Sequence, residues 1–150
     1  MHPKRKFMPP VYLLLALLAM FLLHDFAPLV RFGSTPLRYA GAAVMILGVG
    51  ITIGSARLFS KLGTPLRPFE ESTTVVTTGM FRYTRNPMYL GMVIAMLGIA
   101  GILSAVSVFV PIVVFVAIIH YRFILHEERF MEGLFGDEYL AYKNQVRRWF

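Results

Sequence analysis

The chain contains no cysteine. That absence excludes a disulfide frame, a thiolate metal site and a cysteine nucleophile. Its four histidines are scattered and show no metal-binding spacing. Acidic residues number only 8 against 15 Lys and Arg, for a formal net charge of +7. The basic residues are dispersed and no nucleic-acid motif accompanies them, so nucleic acid is not an expected partner. On an apolar chain, excess Lys and Arg instead reports membrane orientation and contact with anionic lipid. Internal repeats and low-complexity segments are also lacking.

What the chain has in excess is apolar residues, 57% of 150, against about 45–50% in a soluble domain. Residues 39–56 and 88–119 carry no charge at all. Runs of this length predict an integral membrane protein of all-α class. The opening "MHPKRKFMPPVYLLLALLAMFLL" imitates a secretory signal, but no small-residue cleavage site follows it, so a retained first membrane helix is expected over about 11–30. A second is expected over about 37–59, where Gly50 and Gly54 offer a small face for close helix packing. The run 88–119 would make a single helix about 48 Å long, against a hydrocarbon core of about 30 Å. A hairpin is therefore expected, with arms over about 88–104 and 107–125, a break between Ser104 and Ser107, and Pro111 opening the second arm.

Four transmembrane helices put the N-terminus, the loop 60–86 and the tail 126–150 on one side. That side carries thirteen cations, and the other only Arg31 and Arg38. The asymmetry predicts that the crowded side is cytoplasmic. The expectation is a polytopic single membrane domain over 1–150, in the cytoplasmic membrane if the host is prokaryotic, with both termini cytoplasmic. The β-branched run 73–78 predicts extended chain ending at Gly79. The tail predicts two short cytoplasmic helices. The first passes through "HEERFMEGLF" to Gly136 and the second starts at Asp137, with Tyr139, Tyr142, Val146 and Trp149 at helical spacing, suited to the membrane interface.

Chemistry-bearing residues concentrate on the same side. In "RYTRNPMYLG", Asn86 and Pro87 read first as a helix cap and first turn. A helix start also offers amides to a ligand carboxylate. Arg82 and Arg85 read as snorkelling residues or lipid-phosphate contacts. Glu127 and Glu128 follow the last apolar run, where a carboxylate needs water or a partner. The plain reading is a solvated helix turn with Glu128 and Glu132 on one face. The chemical reading is an acceptor for a hydroxylated or cationic ligand. His24 and Asp25 sit at the opposite interface, and His120 is expected to pack. Met88, Met92 and Met96 form a packing or lipid-facing stripe. Polar groups from 77–89, 122–128 and 136–149 thus gather on the cytoplasmic rim, which suggests a membrane-edge enzyme but names no reaction.

The stretches "TTGMFRYTRNPMYLG" and "HEERFMEGLFGDEYLAYKNQVRRW", about thirty-five residues apart, resemble the isoprenylcysteine carboxyl methyltransferase family, itself similar to the phospholipid N-methyltransferases. The likeness spans roughly residues 65–150. It implies S-adenosyl-L-methionine as methyl donor in a cytoplasmic pocket, and a membrane lipid or lipidated acceptor entering from the bilayer. By position it implies cofactor contacts at Thr78, Gly79, Met80, Phe81, Asn86, Pro87, Tyr89, Gly91 and Glu127. Arg85, Asn86 and Arg122 are the candidates for the catalytic end. Asn86 stands where eukaryotic members usually have His. Phe123 stands where the family has an Arg for the substrate carboxylate, with Arg122 adjacent, so the accepting group stays open. The resemblance leaves oligomeric state open too. A non-enzymatic membrane scaffold or lipid-binding subunit, and a phospholipid N-methyltransferase or sterol-reductase-like enzyme, are the alternatives.

Overall fold

The computed structural model describes residues 8–61 and 74–150. Lys4, Arg5, Lys6, Arg67 and Thr73, on which the sequence reading drew, lie outside them. The described chain is helical, with six α-helices and no strand among the described residues.

Helix α1, Pro9–Phe26, begins with two prolines in its first turn, where no amide donor is lost. It stops four residues short of the expected 30, because Pro28 cannot continue it. The chain then pairs with the hairpin bend. Phe32 N–H donates to Ser104 O at 3.0 Å and Val106 N–H donates to Val30 O at 3.0 Å, forming an isolated bridge between Arg31 and Ala105. Helix α2 is Thr35–Lys61 and helix α3 is Pro87–Leu103. The bend after α3 falls at Ser104, in the left-handed region at φ 52°, its hydroxyl bonded back to Gly101 O at 2.6 Å. A short 3-10 turn, Val106–Val108, leads into α4, Phe109–Ile119, with Pro111 in its first turns.

The second arm does not end at residue 125 as expected. It passes through a π-turn, His120–Ile124, directly into α5, Leu125–Phe135. Gly136, at φ +51°, then reverses the chain into α6, Asp137–Gln145. The helical spacing of Tyr139, Tyr142, Val146 and Trp149 is split between two conformations. Val146 is extended, at φ −119° and ψ 132°, and Trp149 leaves the Tyr139–Tyr142 cluster to pack on the main core.

Pro9–Phe26, Thr35–Lys61 and Val106–Phe135 are each long and apolar enough to cross a membrane. Helix α3 has 17 residues, about 25 Å, short of the ~30 Å core. It does not face lipid alone, since of its residues only Leu97 is exposed. The other helices surround it and turn apolar side chains outward: Leu14, Leu18 and Leu22 on α1, Ile46 and Leu47 on α2, Val113 on α4. Exposed apolar area of this extent marks a membrane surface. Inside, Met20, Met96, Ala100, Val108, Phe115 and Ile119 exclude solvent almost completely.

The closest helix pair is α2 with α3, and the small residues at their seam are not Gly50 and Gly54. Those two are exposed, and a Cβ on either meets nothing within 4 Å. The seam is Gly41 and Gly48 against Gly91 and Gly98. A Cβ on Gly48 would sit 2.3 Å from Ala95 N, and one on Gly98 2.3 Å from Met45 N. Seven residues are nearly two full turns, so 41 and 48 share a face, while positions 50 and 54 are rotated away from it.

Candidate functional site

At the end of the bundle away from the Arg31–Ala105 bridge, the chain from Thr78 to Tyr89 meets α5, α6 and the segment 146–149. A 3-10 turn, Gly79–Arg82, opens it. Gly79 has φ +60°, a left-handed conformation that calls for glycine, while the Leu58 Cδ2 that a Cβ would meet at 2.8 Å is a side-chain end that can move aside. Thr78 is extended and exposed, Met80 half-buried, and Phe81 buried against the Phe59 ring at 5.6 Å. Tyr142 of α6 donates its hydroxyl to Phe81 O at 2.7 Å. Burial pushes that phenol up to about 12, with the Arg85 charge opposing, so it stays a donor at neutral pH. Beside the turn lies an open hollow of about 420 Å³ lined by Thr77, Arg82, Glu138, Tyr142, Gln145 and Val146.

Thr84 and Asn86 come next. The Thr84 hydroxyl donates to Arg148 O at 3.2 Å and accepts the Asn86 N–H at 3.2 Å. Asn86 occupies the N-cap position of α3, but its side chain does not cap. Its Nδ2 donates instead to Arg148 O at 3.0 Å. Pro87 is buried in the first turn. One turn into α3, the buried Tyr89 donates its hydroxyl to Glu127 Oε1 at 2.9 Å.

Glu128 departs from the solvated turn expected of it. It is 5% exposed and is held by two arginines. Arg148 forks onto it, Nε to Oε1 and Nη2 to Oε2, both at 2.8 Å. Arg85 Nη2 lies 3.1 Å from its Oε1. Such a fork is the strong, direction-setting form of an arginine–carboxylate pair. Arg85 is therefore committed within the protein, and its buried Nε has no hydrogen-bond partner among the described residues. Farther along, Lys143 pairs with Glu132.

The structure thus brings Arg85, Asn86, Pro87, Tyr89 and Glu127 together, with Thr78, Gly79, Met80 and Phe81 joined to them through Thr84 N–H to Met80 O at 3.2 Å and through Tyr142. Gly91 and Arg122 point elsewhere. Gly91 lies in the α2–α3 seam, its Cβ position 2.4 Å from Thr52 Oγ1. Arg122 is exposed at the α1 seam, Nη1 at 3.4 Å from the Tyr12 hydroxyl, while Phe123 is buried edge-on to the Tyr12 ring. His120 accepts Trp149 Nε1–H at Nδ1, 3.3 Å. Sequence inspection missed Thr84 and Arg148 as parts of this assembly, placed Tyr142 only at the membrane interface, and did not foresee the burial of Glu128. The Glu-Glu and Arg-Arg pairs hinted at an ion pair, but nothing local to Thr84 marks it.

Comparison with known proteins agrees with this architecture. The solved structure of the eukaryotic intramembrane Ras methyltransferase ICMT (isoprenylcysteine carboxyl methyltransferase) matches 100% of this chain with a TM-score of 0.70 at 21% identity, which shows a shared fold. The chain spans 53% of that protein's length. An uncharacterised Haemophilus influenzae protein is 36% identical over 62 residues, covering 41% of this chain and 98% of its own. The phospholipid methyltransferase family model matches residues 37–138. That match runs from the start of α2 into α6 and takes in both Tyr89 and Glu127: the chain belongs to the phospholipid methyltransferase family.

Proposed function

We propose that the chain is an integral membrane methyltransferase that uses S-adenosylmethionine and modifies a lipidic or amphiphilic acceptor at the cytoplasmic rim of the bilayer. The observation that carries this is the 2.9 Å hydrogen bond between Tyr89 and Glu127. It joins the starts of α3 and α5 within the matched family region, at the polar end of an otherwise apolar bundle.

The residues fit the donor. S-adenosylmethionine carries ribose hydroxyls, an ammonium and a cationic sulfur, each of which a carboxylate attracts or accepts from. Glu127 accepts from the Tyr89 phenol on α3, while the neighbouring Glu128 takes the fork of Arg148 and the contact from Arg85. When bound, the group supplies a methyl on sulfur, open to in-line displacement. Such chemistry asks the protein for alignment and exclusion of water rather than for a nucleophile. Glu127 and Tyr89 hold the donor, and Thr78, Gly79, Met80 and Phe81 present backbone to it beside the helix start at Pro87. Arg85 and Asn86 fix that start, and Gly91 lets α3 seat against α2. Arg122 stands apart from this cluster, at the α1 seam against the Tyr12 hydroxyl, where it would meet the acceptor's polar head only outside the donor pocket. The solved relative is by its description a Ras methyltransferase. For this chain the acceptor is proposed only as a class.

The test is calorimetry of S-adenosylhomocysteine with the detergent-purified protein, followed by transfer of labelled methyl to native membrane lipids. Saturable binding that Glu127→Ala abolishes is the expected result. Absence of binding by the intact protein ends the proposal.

A further inference from the structure

We infer that Arg148 is a positioning residue, which aims Glu127 at Tyr89 by holding the neighbouring Glu128. What the pair binds rests on the function proposed above; the geometry does not.

Glu127 and Glu128 are consecutive on one helix, so their side chains leave it about 100° apart. Holding the helix rotation at Glu128 also sets the direction in which the Glu127 side chain leaves the helix. Glu128 is fixed by the Arg148 fork and by Arg85. This restraint falls on α5 just after the π-turn His120–Ile124. A π-turn interrupts the regular hydrogen-bond ladder, and such turns often mark functional places in a helix. The rotation of α5 there is set by an outside contact as well as by the helix above it.

The same segment also holds the other half of the pair. The Arg148 carbonyl accepts from Thr84 and Asn86, and the Arg147 carbonyl accepts the Arg85 N–H at 2.9 Å. Thr84 and Arg147 form a parallel bridge. Tyr89 projects from α3 one turn after this anchor. Trp149, the next residue, reaches His120 at the head of the π-turn. Residues 147–149 thus touch all three elements that decide where the Tyr89 hydroxyl and the Glu127 carboxylate meet. The side chain of Arg148 orients one and its backbone the other. A lysine would keep the charge and lose the planar fork that sets direction.

The experiment compares Arg148→Ala and Arg148→Lys with two controls, Met20→Ala in the α1 core and Arg129→Ala on the exposed side of α5. Three readouts are taken on the full chain in detergent: melting temperature, hydrogen exchange over 84–90 and 125–130, and S-adenosylhomocysteine affinity. Both Arg148 variants are expected to exchange faster in the two segments together and to lose about tenfold in affinity. Met20→Ala is expected to melt earlier with affinity within about twofold of the parent, and Arg129→Ala to change neither. Equal affinity loss at equal melting loss in Arg148→Ala and Met20→Ala would overturn the inference. So would faster exchange over 84–90 alone, or full affinity in Arg148→Lys. Should Arg148→Ala fail to fold, Arg148→Lys decides. If the parent binds no S-adenosylhomocysteine, the proposed function fails, and the paired exchange of the two segments still judges the positioning claim.

Discussion

Glu127 and Glu128 differ in the partners they meet, a phenol for one and two arginines for the other, and that difference predicts different responses to their removal. Removing Glu128 leaves Arg85, whose side chain is 8% exposed, without its counter-charge. Breaking one side of a buried pair costs about 3–5 kcal/mol. Among the contacts that Glu127→Ala removes is the hydrogen bond from the Tyr89 phenol, worth about 1–3 kcal/mol. Chemical unfolding in detergent is therefore expected to rank Glu128→Ala well below Glu127→Ala in stability. S-adenosylhomocysteine affinity, measured on whatever folds, is expected to fall most in Glu127→Ala. Tyr89→Phe separates the two effects further. It keeps the ring in the core and removes only the hydroxyl, so an affinity loss with little change in melting is expected. If both Glu variants lose stability equally, the division of roles between them is wrong. The two carboxylates were legible in the sequence as candidates because they stand at the end of a long uncharged run. Which one is buried depends on Arg148, twenty residues onward, and on Arg85, more than forty residues back. Pairings of that range are decided by tertiary docking and leave no local pattern. Asn86 makes the same point. Its position predicted a cap, and its side chain instead bonds across to Arg148 O, which no local preference encodes.

At the scale of elements, the α2–α3 seam gives the sharpest test. Thr52 bridges it, donating to Gly48 O at 3.0 Å and lying 3.3 Å from Met88 O. The backbones approach closely enough that the Cβ positions of Gly41, Gly48, Gly91 and Gly98 all fall under 3 Å from backbone atoms of the partner helix. Backbone cannot swing aside as a side chain can. Gly48→Val and Gly98→Val are expected to cost more than the ~1–3 kcal/mol typical of overpacking, while Gly50→Val, facing outward, is expected to be neutral. Unfolding of the purified variants reads this directly, and a destabilised Gly50→Val beside an unaffected Gly98→Val would show the seam to be misplaced. The number and character of the apolar helices were legible because uncharged length is read straight from the chain. The packing face was not. A small-xxx-small pair shows that a helix can be approached closely, but the partner selects the side, and here Gly91 and Gly98 match the seven-residue step of Gly41 and Gly48. The π-turn was equally invisible, since the apolar pattern through 120–124 is compatible with an unbroken α-helix.

For the whole molecule, the charge distribution and the helix arrangement make one joint prediction. Lys61, Arg82, Arg85, Arg122, Arg129, Lys143, Arg147 and Arg148 belong to the end that carries Tyr89 and Glu127, whereas Arg31 and Arg38 belong to the end capped by the Arg31–Ala105 bridge. Cationic residues near span ends stay on the cytoplasmic side. Helix α3 is the weak point of a four-span arrangement, being shorter than the hydrocarbon core. Its burial among α1, α2 and α4 removes the need to match bilayer thickness by itself, because its neighbours present the lipid-facing surface. The joint prediction is that the end carrying Tyr89 and Glu127 faces the cytoplasm. The chain's lack of cysteine makes this directly measurable, since any introduced thiol is the sole reactive one. In intact cells, Phe32→Cys, exposed beside Arg31, is expected to react with a membrane-impermeant maleimide. Asn144→Cys, exposed on α6, is expected to react only after lysis. The reverse pattern would invert the orientation. Labelling of both from the outside would put the two ends of α3 on one face of the membrane, and the Tyr89–Glu127 site could then no longer stand between a cytoplasmic donor and an acceptor held in the bilayer.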